Sequence, residues 1–335
     1  MDRFIIFLLV IIAILFSILV YVYFKIYKLS VSFKGALSND LECSQGVCQP
    51  TLRNDIPACP YSPDDPMESI GGCQVLYFML NNLALLEYNK EIVVPPGTTS
   101  IKAITYPLNT KQPSYFSNIL KKTDEPDGVG TYYIFFRGTI TKEEWEKDLQ
   151  LEQSVSSFEL VPHRHHLHKL KNTSLKCHDG FLSIFEHLRD AVLDGVTVIK
   201  GTKPNVILAG HSLGGAVASL FAFAFHELGC NVVLYTFSCP RVFDDTIKKL
   251  NVPFNHYRFV NEPDVIPTLP LAVSPNSDDP SKPFLYSHFG KMISINVNWK
   301  SLLNNHLLTV FIKTILDEKG FCGRDLKKSE HENYE

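Results

Sequence analysis

A serine enclosed by glycines stands in the stretch Ala209-Gly210-His211-Ser212-Leu213-Gly214-Gly215. The residues before it, Asn205 to Ala209, read as a buried strand, and those after it, Gly215 to Leu228, are apolar all round, as a helix enclosed in a core should be. The pattern G-x-S-x-G acquires chemical meaning in that strand–turn–helix setting. A tight turn strains the serine backbone, and only small neighbours such as Gly210 and Gly214 avoid a clash. The Ser212 hydroxyl then projects above the strand end, and the helix N-terminus brings the Leu213 amide beside any oxyanion that develops there. The bland readings are a phosphate-binding turn or a merely tight one, and there is no P-loop lysine to favour the first.

A serine hydroxyl attacks only when a base takes its proton and a third group orients that base. In α/β hydrolases the acid and then the histidine follow the serine along the chain. The downstream acids include Asp244, Asp245, Glu262, Asp264, Asp278 and Asp279. Asp264 is favoured because it directly follows the strand expected to end at Val260, and such sheets gather their sites at strand C-termini. Asp278 and Asp279 lie in a Pro/Ser-rich loop and read as solvated. Among the histidines, His256 precedes the acid and His331 lies in the polar tail. His288 and His306 remain as candidate bases.

The elements that must position these groups follow from periodicity. Gln74 to Tyr88 is apolar with helix formers and predicts a largely buried helix, Thr131 to Phe136 a buried strand, and Phe181 to Val198 an amphipathic helix. Val232 to Phe237 and Tyr257 to Val260 repeat the strand signal, and Asn305 to Leu316 closes with a helical pattern. Strands alternating with helices predict an α/β fold, a mostly parallel sheet with helices on both faces.

The 335 residues carry 32 basic and 35 acidic side chains, a net charge of −3 that argues against nucleic acid. Phe4 to Phe24 is an uncharged run of 21 residues, about 31 Å as a helix, which is the thickness of a bilayer's hydrocarbon core. Arg3 precedes it, Lys25 and Lys28 follow, and no A-x-A-like cleavage site succeeds it, so a single-pass anchor over 1–28 is expected rather than a signal peptide. Residues 29–70 read as a juxtamembrane linker, 71–318 as the catalytic domain and 319–335 as a polar tail. The side of the membrane is left open. Lys25, Lys28 and Lys34 favour a cytosolic domain, whereas Cys43, Cys48, Cys59 and Cys73, with no zinc-like spacing, and the Asn172-Thr173-Ser174 sequon favour an oxidising compartment. The basic, histidine-rich stretch from His163 to Lys171 reads as a solvated face or an anionic-lipid contact before it reads as a metal site.

Taken together, the segments from about 71 to 318 resemble the class 3 lipases, the family of fungal triacylglycerol and diacylglycerol lipases. Phe136-Arg137-Gly138-Thr139 is similar to its F-R-G-T/S, Trp145 with Asp148-Leu149 to its W-x-x-D-L, and His178-Asp179-Gly180-Phe181 to its H-x-G-F. Thr236 to Val242 resembles T-F-G-x-P-R-V, and Asp264 to Pro270 resembles D-x-V-P-x-L-P. Tyr286 to Gly290 is like a family segment whose histidine is not catalytic, while Asn305-His306 is like the D-H-x-x-Y that carries the base. The sequence departs from the family at Ser238, where Gly is usual, at Asn305, where Asp is usual, and at Thr309, where Tyr is usual.

The resemblance implies an α/β-hydrolase domain with Ser212, Asp264 and His306 as triad and Thr139 beside Leu213 as oxyanion donor. It also implies a lid over Ile140 to Leu149 with Trp145 as its apolar anchor, for which the plainer reading is core packing. Neither cofactor nor metal is implied. The expected function is a membrane-anchored serine lipase acting on a lipid ester through an acyl-enzyme. The competing readings are an esterase on smaller or polar esters and a membrane-tethered binding module without turnover. The oligomeric state is left open.

Overall fold

A computed structural model describes residues 70–87, 94, 97–106, 114–123, 125, 129–139, 152–155, 175–276, 278–301 and 304–316. The expected anchor at Phe4–Phe24, the cysteines Cys43, Cys48 and Cys59 of the expected linker, the expected lid with Trp145, the histidine-rich stretch, Asn172 and the polar tail lie outside them. No helix among the described residues is long and apolar enough to cross a membrane.

A seven-stranded sheet organises the described residues. Its strands are β1 (Thr98–Tyr106), β2 (Ser114–Lys122), β3 (Thr131–Phe136), β6 (Asn205–His211), β7 (Asn231–Phe237), β9 (Asn255–Asn261) and β12 (Lys291–Ile295), ordered β1-β2-β3-β6-β7-β9-β12. From β3 to β12 every pairing is parallel, whereas β1, β2 and β3 pair antiparallel. The mostly parallel sheet therefore carries an antiparallel edge that the alternation of strands and helices did not predict. A smaller sheet joins β4 (Gln153–Val155), β5 (Lys176–His178), β8 (Phe243–Asp244), β10 (Val273–Ser274) and β11 (Phe284–Ser287) in the order β10-β11-β8-β5-β4.

Both faces of the large sheet are covered, and the period-2 alternation of strand side chains decides what each face receives. Tyr132, Ile134 and Phe136 of β3 join the core beneath α2 (Asp179–Leu193) and α3 (Leu213–Glu227), whereas Tyr133 and Phe135 join the core beneath α1 (Ile70–Glu87) and α4 (Leu308–Leu316). Strands buried on both faces read as continuous apolar runs, which is why β3, β6 and β7 were visible in the sequence. Helix α3 is buried from Leu213 to Phe225, and Phe221 stacks on Phe136 with centroids 5.2 Å apart.

Two expected helices end differently. The helix expected to reach Val198 stops at Leu193, after which Gly195 and the β-branched Val196, Thr197 and Val198 continue as turn and coil. It begins at Asp179, where the His178 Nδ1 accepts the Phe181 amide at 3.4 Å and caps it. The helix expected from Asn305 begins at Leu308, because Asn304–His306 forms a separate 3₁₀ turn.

Ser238, which follows β7, has φ 50 in the left-handed region. A Cβ costs about 1–2 kcal/mol there, which explains why glycine suits the position. Its buried Oγ also has no hydrogen-bond partner among the described residues. Ser238→Gly is expected to stabilise the fold by about 1 kcal/mol, since relief of strain outweighs the extra unfolded-state entropy. Urea unfolding of the two proteins checks this, and a destabilised variant would contradict it.

Candidate active site

The carboxyl ends of β3, β6 and β9 converge on Ser212. Its backbone adopts φ 52 and ψ −125, a conformation disfavoured for any residue with a side chain. The turn is possible because nothing else occupies the space. A Cβ on Gly210 would lie 2.2 Å from the Gly214 carbonyl oxygen, and a Cβ on Gly214 would lie 2.2 Å from that of Phe136. The Ser212 amide donates to the Phe237 carbonyl at 2.9 Å and ties the turn to the end of β7. Leu213 opens α3, so its N–H has no intrahelical acceptor and belongs to the positive end of that helix.

Ser212, His306 and Asp264 form one hydrogen-bonded chain. The Ser212 Oγ lies 2.8 Å from His306 Nε2, and His306 Nδ1 lies 2.8 Å from Asp264 Oδ2. Nδ1 donates to the carboxylate, so Nε2 is left as an acceptor for the serine proton. The Asp264 side chain is fully buried, and its other oxygen accepts the Ile266 amide at 3.0 Å. A carboxylate satisfied in this way can fix the ring and stabilise an imidazolium.

The segment that carries His306 is bound to the acid loop through two asparagines. Asn305 Oδ1 accepts the Trp299 amide at 2.8 Å and its Nδ2 donates to the Pro263 carbonyl at 3.4 Å. Asn261, at the end of β9, donates to the Asn305 carbonyl at 2.9 Å and to that of Val297 at 2.9 Å. Asn305 therefore serves, as an amide, the anchoring role that its position before His306 demands.

Thr139 follows β3 beside the turn. The Gly138 carbonyl accepts from Arg137 at 2.7 Å, and in a trans peptide the Thr139 N–H points the opposite way. Arg137 is fully buried and also donates to the Tyr115 carbonyl at 2.6 Å and to Ser114 Oγ at 2.8 Å, so the side chain that holds the Gly138 carbonyl is itself held by two further bonds.

The other histidines lie elsewhere. His288 Nε2 donates to the Pro267 carbonyl at 2.7 Å, and burial together with the Arg258 and Arg241 charges holds it well below its ordinary pKa. His256 bonds Thr236 Oγ1 at 2.8 Å and is pushed down to about 3 by burial and by Arg258. Both are neutral structural groups. No set of residues suited to a metal ion occurs among the described residues. Cys177, Cys230 and Cys239 are buried free thiols pushed up to about 12, chiefly by burial, and are unreactive at neutral pH.

Two site residues escaped the sequence reading. His211 entered only as the variable position of G-x-S-x-G, yet its Nε2 lies 2.9 Å from the His306 carbonyl and its Nδ1 2.5 Å from Glu87 Oε1. Glu87 is the sole charged residue between Ile70 and Tyr88. That lone charge at the end of an apolar helix was the available signal.

Residues 133–274 match the family model described as Lipase (class 3). The phospholipase A1-Ialpha2, chloroplastic, of Arabidopsis thaliana is 31% identical over 158 residues, 39% of this chain and 31% of that protein. The lipase of Rhizomucor miehei is 31% identical over 159 residues, 44% of this chain and 39% of that protein. The chain thus spans well under half the length of these curated relatives. The crystal structure of the lipase from Rhizopus microsporus var. chinensis aligns with a TM-score of 0.45 at 21% identity, covering 73% of this chain and 81% of that one.

The geometry predicts that a fluorophosphonate labels Ser212 in the wild type and in His288→Ala, and labels His306→Ala at least about 1,000-fold more slowly. Mass spectrometry of the labelled peptide measures both rates. Fast labelling of His306→Ala with loss in His288→Ala would reverse the assignment of the base.

Proposed function

The chain belongs to the class 3 lipase family, and on that footing we propose that it is a membrane-anchored serine lipase that hydrolyses carboxylic esters of acylglycerol-type lipids through an acyl-enzyme. The observation that carries the reading is the unbroken chain from Ser212 Oγ through His306 to Asp264, with each link at 2.8 Å.

The steps follow from that arrangement. His306 Nε2 takes the Ser212 proton as Oγ attacks the ester carbonyl, and Asp264 stabilises the imidazolium. The Leu213 and Thr139 amides receive the oxyanion, each such donor lowering the barrier by about 2.7–4 kcal/mol, and the Thr139 hydroxyl would add a third. Collapse of the tetrahedral adduct releases the alcohol, which takes its proton from His306. Water then repeats the sequence on the acyl-serine and frees the acid. No step requires a metal or an organic cofactor.

A lipid substrate is supported by apolar surface around the acid loop. Val265, Leu269, Leu271, Val273 and Leu285 are exposed, and Val273 pairs directly with Leu285 between β10 and β11. Anchoring by Phe4–Phe24 would hold the enzyme where acylglycerols partition. A lid over residues 140–149 with Trp145 as anchor would open at that surface.

Hydrolysis of emulsified tri-, di- and monoacylglycerols, of phospholipid vesicles and of soluble p-nitrophenyl esters tests the proposal. Turnover should rise above the solubility limit of an acylglycerol and fall to background in Ser212→Ala. Activity confined to the soluble esters would make the protein an esterase, and no turnover on any ester would leave the binding-module reading.

A further inference from the structure

Glu87 occupies a place that packing alone does not explain. It terminates α1, a helix otherwise without charge, and it reaches the end of the sheet where the nucleophile sits. Its Oε1 accepts from the Gly138 amide at 3.1 Å and from His211 Nδ1 at 2.5 Å. A Cβ on Gly138 would lie 2.9 Å from Oε1, 3.0 Å from His211 Nδ1 and 3.4 Å from Ser212 Cβ, so these groups meet with no room between them. His211 in turn reaches the His306 carbonyl at 2.9 Å, and the two imidazoles lie 4.9 Å apart between centroids.

The partners decide the proton positions. A carbonyl only accepts, so His211 Nε2 carries a proton. Oε1 already accepts from the Gly138 amide, so the carboxylate form is the one that matches both of its neighbours, and Nδ1 carries a proton as well. His211 is then a cation that donates from both nitrogens. Burial alone would raise the Glu87 carboxyl, but the His211 charge, its hydrogen bond and the Gly138 amide outweigh it and hold the group below its ordinary 4.5. Burial alone would lower His211, but the Glu87 charge and bond, the His306 carbonyl and the Asp264 charge hold it above its ordinary 6.5.

We infer that Glu87 is a positioning residue for hydrolysis: through its charged contact with His211 it holds the main chain of His306, and through the Gly138 amide it holds the segment that presents Thr139. One carboxylate would thus set the base and an oxyanion donor relative to Ser212. The inference rests on the lipase reading of the same site. His306 and Asp264 are the other titratable groups whose charge acts on the pair, while Arg137 is bonded to the Gly138 and Tyr115 carbonyls and to Ser114.

Glutamine cannot replace this carboxylate. With its amide oxygen in the place of Oε1, a neutral His211 must put its one proton on Nδ1 and abandon the His306 carbonyl. With its NH₂ there, two donors face each other at Gly138. The pH dependence has a definite sign. Because His211 is raised, its contribution is complete below about 6.5 and is lost as pH rises through its folded value. Because Glu87 is lowered, its contribution is complete above about 4.5 and is lost as pH falls through its folded value. The contact is therefore strongest between these limits and persists above 6.5 to the extent that His211 is raised.

The test uses the full-length chain in detergent with p-nitrophenyl butyrate, recording kcat, KM, the pH profile and the thermal midpoint of each protein. Glu87→Gln should lower kcat at pH 7 by about 10- to 100-fold with KM nearly unchanged, as expected for sub-ångström displacement of catalytic groups. The alkaline limb of its profile should move to lower pH, and Glu87→Asp should recover part of kcat. Unchanged kcat in Glu87→Gln, or equal losses in Glu87→Gln and Glu87→Asp, would overturn the inference. Should Glu87→Gln not fold, ¹⁵N spectra of the wild-type histidines decide. His211 protonated on both nitrogens at pH 7 supports the inference, and a neutral His211 overturns it. A wild type that neither turns over esters nor labels at Ser212 would instead refute the lipase reading.

Discussion

The constraint on which this site depends is the backbone of Ser212 at φ 52, a conformation that costs free energy and must be imposed from outside. Helix α3 imposes it by packing its first turn against the ends of β3 and β6, an approach so close that neither Gly210 nor Gly214 has room for a Cβ. The helix can press there because it is buried from Leu213 to Phe225, and that burial stabilises the strained turn. The same approach brings the positive end of α3 to the serine. The strained turn and the helix N-terminus beside the Ser212 hydroxyl are thus consequences of a single packing contact.

Around that turn, polar groups buried near the site are joined into tethers. Arg137 fixes the peptide before Thr139, Asn261 and Asn305 fix the segment before His306, and Glu87 with His211 spans both sides. An unpaired buried polar group costs about 1–3 kcal/mol, so a tether that satisfies both ends is far cheaper than one left half made. Each of these groups gives up water for a backbone amide or carbonyl in a catalytic segment. The segments that carry Thr139 and His306 are thereby tied to the strand ends that Ser212 and Asp264 follow.

Legibility in the sequence followed burial. The strands β3, β6 and β7 are enclosed on both faces and appear as unbroken apolar runs. Strand β1 is half exposed and its pairing with β2 slips twice, so neither period nor composition marked it. The sequence overextends helix α2 because Val196 continues the four-residue apolar spacing of Leu188 and Val192, although the β-branched side chains of Val196, Thr197 and Val198 favour extended backbone. Ser212 was legible because the turn demands glycines on both sides, and Asp264 because it follows a strand end. His306 could be separated from His288 only by resemblance, whereas in the fold the two are far apart in role: one faces Ser212 and the other the Pro267 carbonyl.

By itself the sequence determined the local grammar of this protein: the strand–turn–helix around Ser212, the order of serine, acid and histidine, the apolar runs that become the sheet, and a charge balance that does not suit nucleic acid. These are properties of neighbouring residues, set by sterics and by period. Only the tertiary structure decided which histidine meets Ser212 across 94 positions of chain, and that Glu87, 124 positions from His211, lies against it. Such pairings have no local signature, because they arise where separate segments are folded over one sheet end and their polar atoms must find partners away from water.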